Sequence, residues 1–166
     1  MTTITELDLE FDFHDAVSVT HFDDDAYHAG STVQRVDFIA EYDDRYHFIE
    51  VKDPDIPTAA NPEAFATKLR SGKLIQSLAG KYRDTLFFRS VQEKADKKIV
   101  YIVLLSMRAL DAAMLVAKQD ELRRSIPLTH ADWSRDSAAT CIILNLEQWK
   151  RQFGDGSVRR LSEGAE

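Results

Sequence analysis

The chain has 166 residues, of which 44% are hydrophobic and 30% charged, with a formal net charge of −7. That length and balance describe one folded domain with a single well-buried core and exclude a disordered chain. The longest apolar run, Ile99 to Leu105, falls far short of the roughly 20 residues a membrane helix needs, and no cationic start precedes an apolar stretch; no membrane partner is expected, and the cytoplasm is the expected compartment.

The first segment alternates Leu7, Leu9, Phe11 and Phe13 with polar residues, which predicts an edge strand or an extended arm. Ala16 to Phe22 reads as a first core strand, and Asp23-Asp24-Asp25 opens a polar loop through Ser31 that lacks the glycine and terminal glutamate of a calcium loop. His14, His21 and His28 recur every seven residues, a spacing that matches no zinc pattern, and are read as surface or loop histidines. Two strongly apolar runs follow, Val36 to Ala40 and Phe48 to Lys52.

Beyond Lys52, Pro54, Pro57 and Pro62 stiffen a loop, either a plain connector or a lid over the strand end. Asn61 is set to cap a helix with Pro62 at its first position, ending or kinking near Gly72. The main helix carries Leu74, Ile75, Leu78, Ala79, Tyr82 and Leu86 on one side, with Lys73, Gln76, Lys81 and Asp84 toward its edges. Ile99 to Leu105 is continuous and β-branched, as a central strand buried on both faces should be.

Leu110, Ala113, Met114 and Ala117 suggest the buried stripe of a helix from Ala109 to about Arg124. Ala139 to Asn145 reads as a last strand, in which the single Cys141 is a small buried hydrophobe; one cysteine also excludes a cysteine-ligated iron–sulfur cluster within a monomer. A short helix, Leu146 to Phe153, sets Trp149 and Phe153 on one face. The reading is one domain over residues 1–153 with a frayed polar tail over 154–166.

The chemistry concentrates between the two apolar runs. If Asp43 and Asp44 are the central residues of a hairpin loop, counting outward in antiparallel register brings Asp37 opposite Glu50, with Cβ atoms roughly 4.5–5.5 Å apart. Alternation puts Asp37, Ile39 and Glu41 with Phe48, Glu50 and Lys52 on a chemical face, and Val36, Phe38, Ala40, Ile49 and Val51 on a core face. Two carboxylates so close repel unless neutralised, which asks for a hard cation, Mg²⁺ or Mn²⁺, with the Val51 carbonyl as a further oxygen. The alternative is an ordinary cross-strand salt-bridge cluster on a solvated face.

An acidic residue on one strand followed by Glu50-Val51-Lys52 on the next resembles the PD-(D/E)xK nuclease superfamily. The resemblance implies an α/β fold with a mixed central sheet flanked by helices in αβββαβ order. It further implies a metal held by Asp37, Glu50 and Val51, Lys52 positioning the attacking water, and hydrolysis of nucleic acid with DNA favoured. A nuclease-fold protein without catalysis, serving as a nucleic-acid-binding or assembly subunit, is the alternative. Val36 stands where many members have proline, the leading acidic ligand is unassigned among Glu6, Glu10 and Asp15, and Gln76 lacks a tyrosine four residues later. Association as a homodimer or with a partner protein is also expected, through Trp149 and Phe153 or the N-terminal arm.

Charge is unevenly spread. Residues 1–67 hold 3 basic and 16 acidic side chains, whereas residues 68–98 hold 9 and 3. A basic segment directly after the Lys52 strand suits phosphate contact, with Lys68, Lys73, Gln76 and Lys81 as the candidate nucleic-acid-binding residues. The same cations equally suit a solvated helical face that balances the acidic N-terminal third.

Overall fold

Two sheets carry the architecture, and a computed structural model describes them over residues 2–164. The larger has five strands in spatial order β3 (Ser18–His21), β4 (Phe38–Glu41), β5 (Arg45–Lys52), β6 (Lys98–Leu105) and β7 (Thr140–Leu144). β3, β4 and β5 are antiparallel, while β5, β6 and β7 run parallel. Parallel neighbours need long crossovers. These are supplied by α2 (Pro62–Arg70) with α3 (Lys73–Val91), and by α4 (Ala112–Ser125). The smaller sheet, β1 (Thr3–Glu6), β2 (Leu9–Asp12) and β8 (Val158–Arg160), is antiparallel. The result is a mixed α/β domain, with antiparallel strands, a helical crossover and a parallel strand in the expected succession; ahead of β3, where the resemblance implies a leading helix and the alternation of Leu7 to Phe13 predicts a strand or arm, the chain forms the β1–β2 hairpin with β1 at a sheet edge.

The local signals explain most boundaries. Asn61 accepts from the Ala64 N–H with Pro62 behind it, and Gly72, at φ 79°, makes the left-handed turn that separates α2 from α3. A side chain at Gly72 would also press on Glu121 Oε1 at 3.1 Å. α5 (Leu146–Phe153) opens with a reciprocal capping box between Asn145 and Gln148.

Both faces of the large sheet are covered. Ile39, Tyr46, Phe48, Tyr101 and Val103 pack under α2, α3 and α4, while Phe38, Ala40, Ile49, Val51, Ile102 and Leu104 pack against Leu9, Phe11, Trp149 and Val158. Each large apolar side chain taken fully out of water contributes about 1.5–3 kcal/mol, so this double burial makes β5 and β6 the centre of stability. The expected division into a chemical face and a core face is therefore corrected: Asp37, Glu50 and Lys52 sit in a break in an apolar layer, and Val36 joins that same layer with Ile39.

Other expectations shift too. The Ala16–Phe22 strand is an edge strand with no fully buried residue among Ser18–His21, because it has a single neighbour. The aspartate run caps a short helix, α1 (Asp25–His28), through Asp24. His28 is buried against Phe22 and Phe88, with Nε2 2.7 Å from the Phe22 carbonyl oxygen, so it is no surface residue. In α4 the buried side chains are Leu115 and Leu122; Ala113, Met114 and Ala117 face water.

The frayed tail is the largest correction. Val158–Arg160 pairs with β2, and Arg160 lays a bidentate fork on the Asp53 carboxylate at 2.7 and 2.9 Å while also reaching Ser106 Oγ and Asp8. A run of three residues with two arginines has no strand-like pattern, but its partners are waiting 150 positions earlier. Trp149 is 2% exposed against Phe11, so its ring packs inside the domain, while Phe153 beside it is half-buried and β1 is an edge strand of the small sheet.

Candidate functional site

The hairpin count holds residue for residue. Phe38 pairs with Ile49 and Glu41 with Tyr46, and the Tyr42 N–H donates to the Arg45 carbonyl, so the same register carries Asp37 to Glu50 one step past the β4 ladder. There the Asp37 side chain replaces the missing backbone partner, Oδ2 accepting the Val51 N–H at 2.7 Å. On an extended strand a residue's N–H and C=O leave the same edge, so the Val51 carbonyl opens on the Asp37 side as well.

Glu50 is wholly buried and points under α3. Its Oε1 receives Lys52 Nζ at 2.5 Å and Lys81 Nζ at 2.6 Å, and Lys81 Nζ stands 4.0 Å from Asp37 Oδ1. The lysines are the covered site's outer wall, with side chains 27% and 20% exposed over a Glu50 that is 0% exposed. Glu50 Oε2 is buried and has no partner among the described residues. An unmet buried acceptor costs about 1–3 kcal/mol, so this atom is where the cluster is incomplete.

Burial raises the Asp37 carboxyl to a pKa of about 7, and the Glu50 charge adds to it, against the opposing pull of Lys81, the Val51 N–H and Lys52. Burial works against the Lys52 ammonium, yet Glu50, Asp37 and Glu6 together hold its pKa above the ordinary lysine value. Two carboxylates and two ammonium groups make the cluster formally neutral. Neutrality alone therefore does not demand an added cation, which revises the argument from repulsion.

The donor set nonetheless suits a small hard ion. Asp37 Oδ1, the unpartnered Glu50 Oε2 and the Val51 carbonyl are oxygens, and Mg²⁺ is commonly held by one or two carboxylates with water or phosphate completing its shell. Among the described residues no group of three His, Cys, Asp or Glu side chains is placed to hold an ion. Of the three acidic residues considered as a further ligand, Glu6 is engaged by His21 at 3.3 Å and Glu10 by Arg159, while Asp15 is exposed.

The candidate nucleic-acid contacts divide. Lys68, Lys73 and Gln76 are exposed on α2 and the start of α3, with Lys73 about 12 Å along the helix axis from Lys81 at 1.5 Å per residue. Lys81 belongs to the carboxylate cluster itself, not to an outer edge. The spacing Leu74, Leu78, Lys81, Thr85 places it on the buried stripe, and a lysine on such a stripe was the available signal. Other cations of the basic segment are also spent internally: Lys97 on Glu41, Arg83 on the Ser125 carbonyl, and Arg89 on the Lys94 carbonyl.

Fold and site together define a single α/β domain with a buried two-carboxylate, two-lysine cluster at the end of a hairpin. Compared with family models, curated proteins and solved structures, the chain matches none. No helix among the described residues is long and apolar enough to cross a membrane.

Proposed function

We propose that this protein is a divalent-metal-dependent nuclease of the PD-(D/E)xK type. The observation that supports the reading best is the gathering of Asp37, Lys52 and Lys81 about a buried Glu50, whose Oε1 takes both lysines while its Oε2 has no partner among the described residues. Asp37, Glu50 and the Val51 carbonyl would hold Mg²⁺ or Mn²⁺, which when bound supplies Lewis acidity toward a phosphate oxygen.

The chain's own residues do the rest. The Val51 N–H fixes the Asp37 carboxylate in place. Lys52, once drawn off Glu50, presents an ammonium to the attacking water and offsets charge that develops on the phosphoryl oxygens. Lys81 donates to Glu50 Oε1 from the helix side and takes a share of the same charge. DNA is favoured over RNA through the resemblance alone, and Lys68, Lys73 and Gln76 are proposed to meet the backbone phosphates from α2 and α3.

A second reading has one observation in its favour. Both lysines close on a single Glu50 oxygen, an arrangement that is largely self-satisfied and suits a nuclease-fold subunit that binds nucleic acid or a partner without cutting.

Wild-type protein and Lys52→Ala, incubated with supercoiled plasmid, linear duplex, single-stranded DNA and RNA, with Mg²⁺ or Mn²⁺ and with chelator, separate the two. Cleavage by wild type alone, and only with metal, is the expected result. Folded protein that retards nucleic acid on a gel yet cuts none would favour the binding subunit.

A further inference from the structure

The run Glu50-Val51-Lys52 carries one lysine, and the fold brings a second from outside it. Lys81 Nζ, from the middle of α3, lies 2.6 Å from Glu50 Oε1 and 4.0 Å from Asp37 Oδ1, within ion-pair reach of both carboxylates. Lys52 Nζ takes the same Glu50 oxygen from the strand side at 2.5 Å and pairs with no other carboxylate. Among the described residues Asp37, Glu50, Lys52 and Lys81 make no ion pair outside this set. Two negative and two positive groups close on themselves.

That balance matters because the surroundings screen little. The Glu50 side chain is wholly buried and that of Asp37 nearly so, in a break in the layer that holds Ile39, Phe48 and Tyr101. The Tyr101 hydroxyl donates to the Leu78 carbonyl at 2.9 Å and brings no charge. Excess charge in such a place is costly unless a counter-charge comes with it. With Lys81 beside both carboxylates, a divalent cation on the Asp37, Glu50 and Val51 oxygens leaves the cluster two charges positive. A phosphodiester brings one negative charge and restores part of the balance.

We propose that Lys81 couples the cation to the substrate: its charge keeps divalent affinity low in the absence of a phosphodiester, so that the two bind cooperatively. Lys81 has this role only within the nuclease function proposed above, whose cation and phosphodiester these are. Two features single it out over Lys52. Lys81 reaches both carboxylates, and it does so from the crossover helix, so its charge stays on Glu50 when Lys52 turns to the attacking water. Coupling between two ligands is reciprocal, so the cation strengthens phosphodiester binding by the same factor. The consequence is a site that loads its cation chiefly when there is something to cut.

The test is calorimetric titration of Mn²⁺ at mildly alkaline pH into wild type, Lys81→Met, Lys81→Arg and Glu50→Ala, each checked for fold by circular dichroism. Each is titrated alone, with dimethyl phosphate, a phosphodiester anion, and with trimethyl phosphate, its uncharged relative, at matched ionic strength. Dimethyl phosphate should tighten Mn²⁺ binding to wild type about fivefold or more, and trimethyl phosphate should leave it unchanged. Lys81→Met should bind Mn²⁺ alone about tenfold or more tighter than wild type and gain less from dimethyl phosphate, while Lys81→Arg, which keeps the charge, should match wild type. Should Lys81→Met not fold, Lys81→Gln, which keeps a donor for Glu50 without the charge, should behave in the same way. Mn²⁺ bound by wild type and lost in Glu50→Ala, yet no tighter without the Lys81 charge or equally affected by the two esters, would overturn the coupling and leave the metal site standing. No Mn²⁺ binding by any of the proteins, or binding that survives in Glu50→Ala, would overturn both.

Discussion

Lys81 Nζ lies 2.6 Å from Glu50 Oε1 although 31 positions separate the two residues in the chain. The contact joins the middle of α3 to the end of β5 and turns a pair of carboxylates into a four-membered ion cluster. With Lys52 on the same oxygen, Glu50 is held by one cation from its own strand and one from the crossover helix.

In the proposed reaction, Lys52→Ala and Lys81→Ala should each lower metal-dependent cleavage by about 10²–10⁴-fold, as expected for loss of a charge aimed at the transition state. Mn²⁺ binding, followed by calorimetry, should persist in both and vanish in Glu50→Ala. A Lys81→Ala enzyme that cuts at the wild-type rate would remove this residue from the site.

The raised Asp37 pKa makes stability depend on pH in a stated direction. The folded protein retains this proton up to about 7, whereas the unfolded chain releases it near 3.8, so the folded state binds more protons in between. Stability from this group is fully present below 3.8 and is lost progressively as pH rises toward 7. Urea titrations of Asp37→Asn, which retains an acceptor for the Val51 N–H, should show a flatter profile across that window than wild type. Since ligands bind a metal deprotonated, Mn²⁺ affinity in wild type should climb over the same range.

Arg160→Ala should destabilise the fold by about 3–5 kcal/mol, the cost of leaving a buried charge without its partner, because the Asp53 side chain is 0% exposed. Chemical denaturation measures this directly. A loss below about 1 kcal/mol would mean that the C-terminal strand contributes little.

Cys141 is buried in β7, and burial pushes its thiol up to a pKa of about 12. The native protein should therefore resist a thiol-reactive dye at pH 8 and label only at the rate of unfolding. Rapid labelling without denaturant would contradict the packing of β6 against β7.

The β4–β5 hairpin was legible because its loop length fixes the register, and a register once fixed places every later pair, Asp37 with Glu50 included. The helix at Asn61, the break at Gly72 and the central strand β6 were legible for similar local reasons: a cap, a left-handed turn, a β-branched run. Lys81 was misplaced because charged residues are assigned to helix edges by habit, while its spacing put it on the stripe. β8 was invisible because nothing in Val158-Arg159-Arg160 prefers a strand; its order comes from Leu9–Phe11 and from the Asp53 carboxylate. The small sheet as a whole is a tertiary decision.

The pairing of β2 with β8 has a consequence for how the molecule is made. Arg159 meets Glu10 across 149 positions, so an emerging chain can fold its hairpin early but cannot close the small sheet until residues 158–160 have left the ribosome. Until then Leu9, Phe11 and Phe38 lack Val158 and Trp149 as cover, a sticky interval that grows with slow translation of the last turns. Emergence of residues 158–160, and not local helix or hairpin formation, is the event that seals the small sheet.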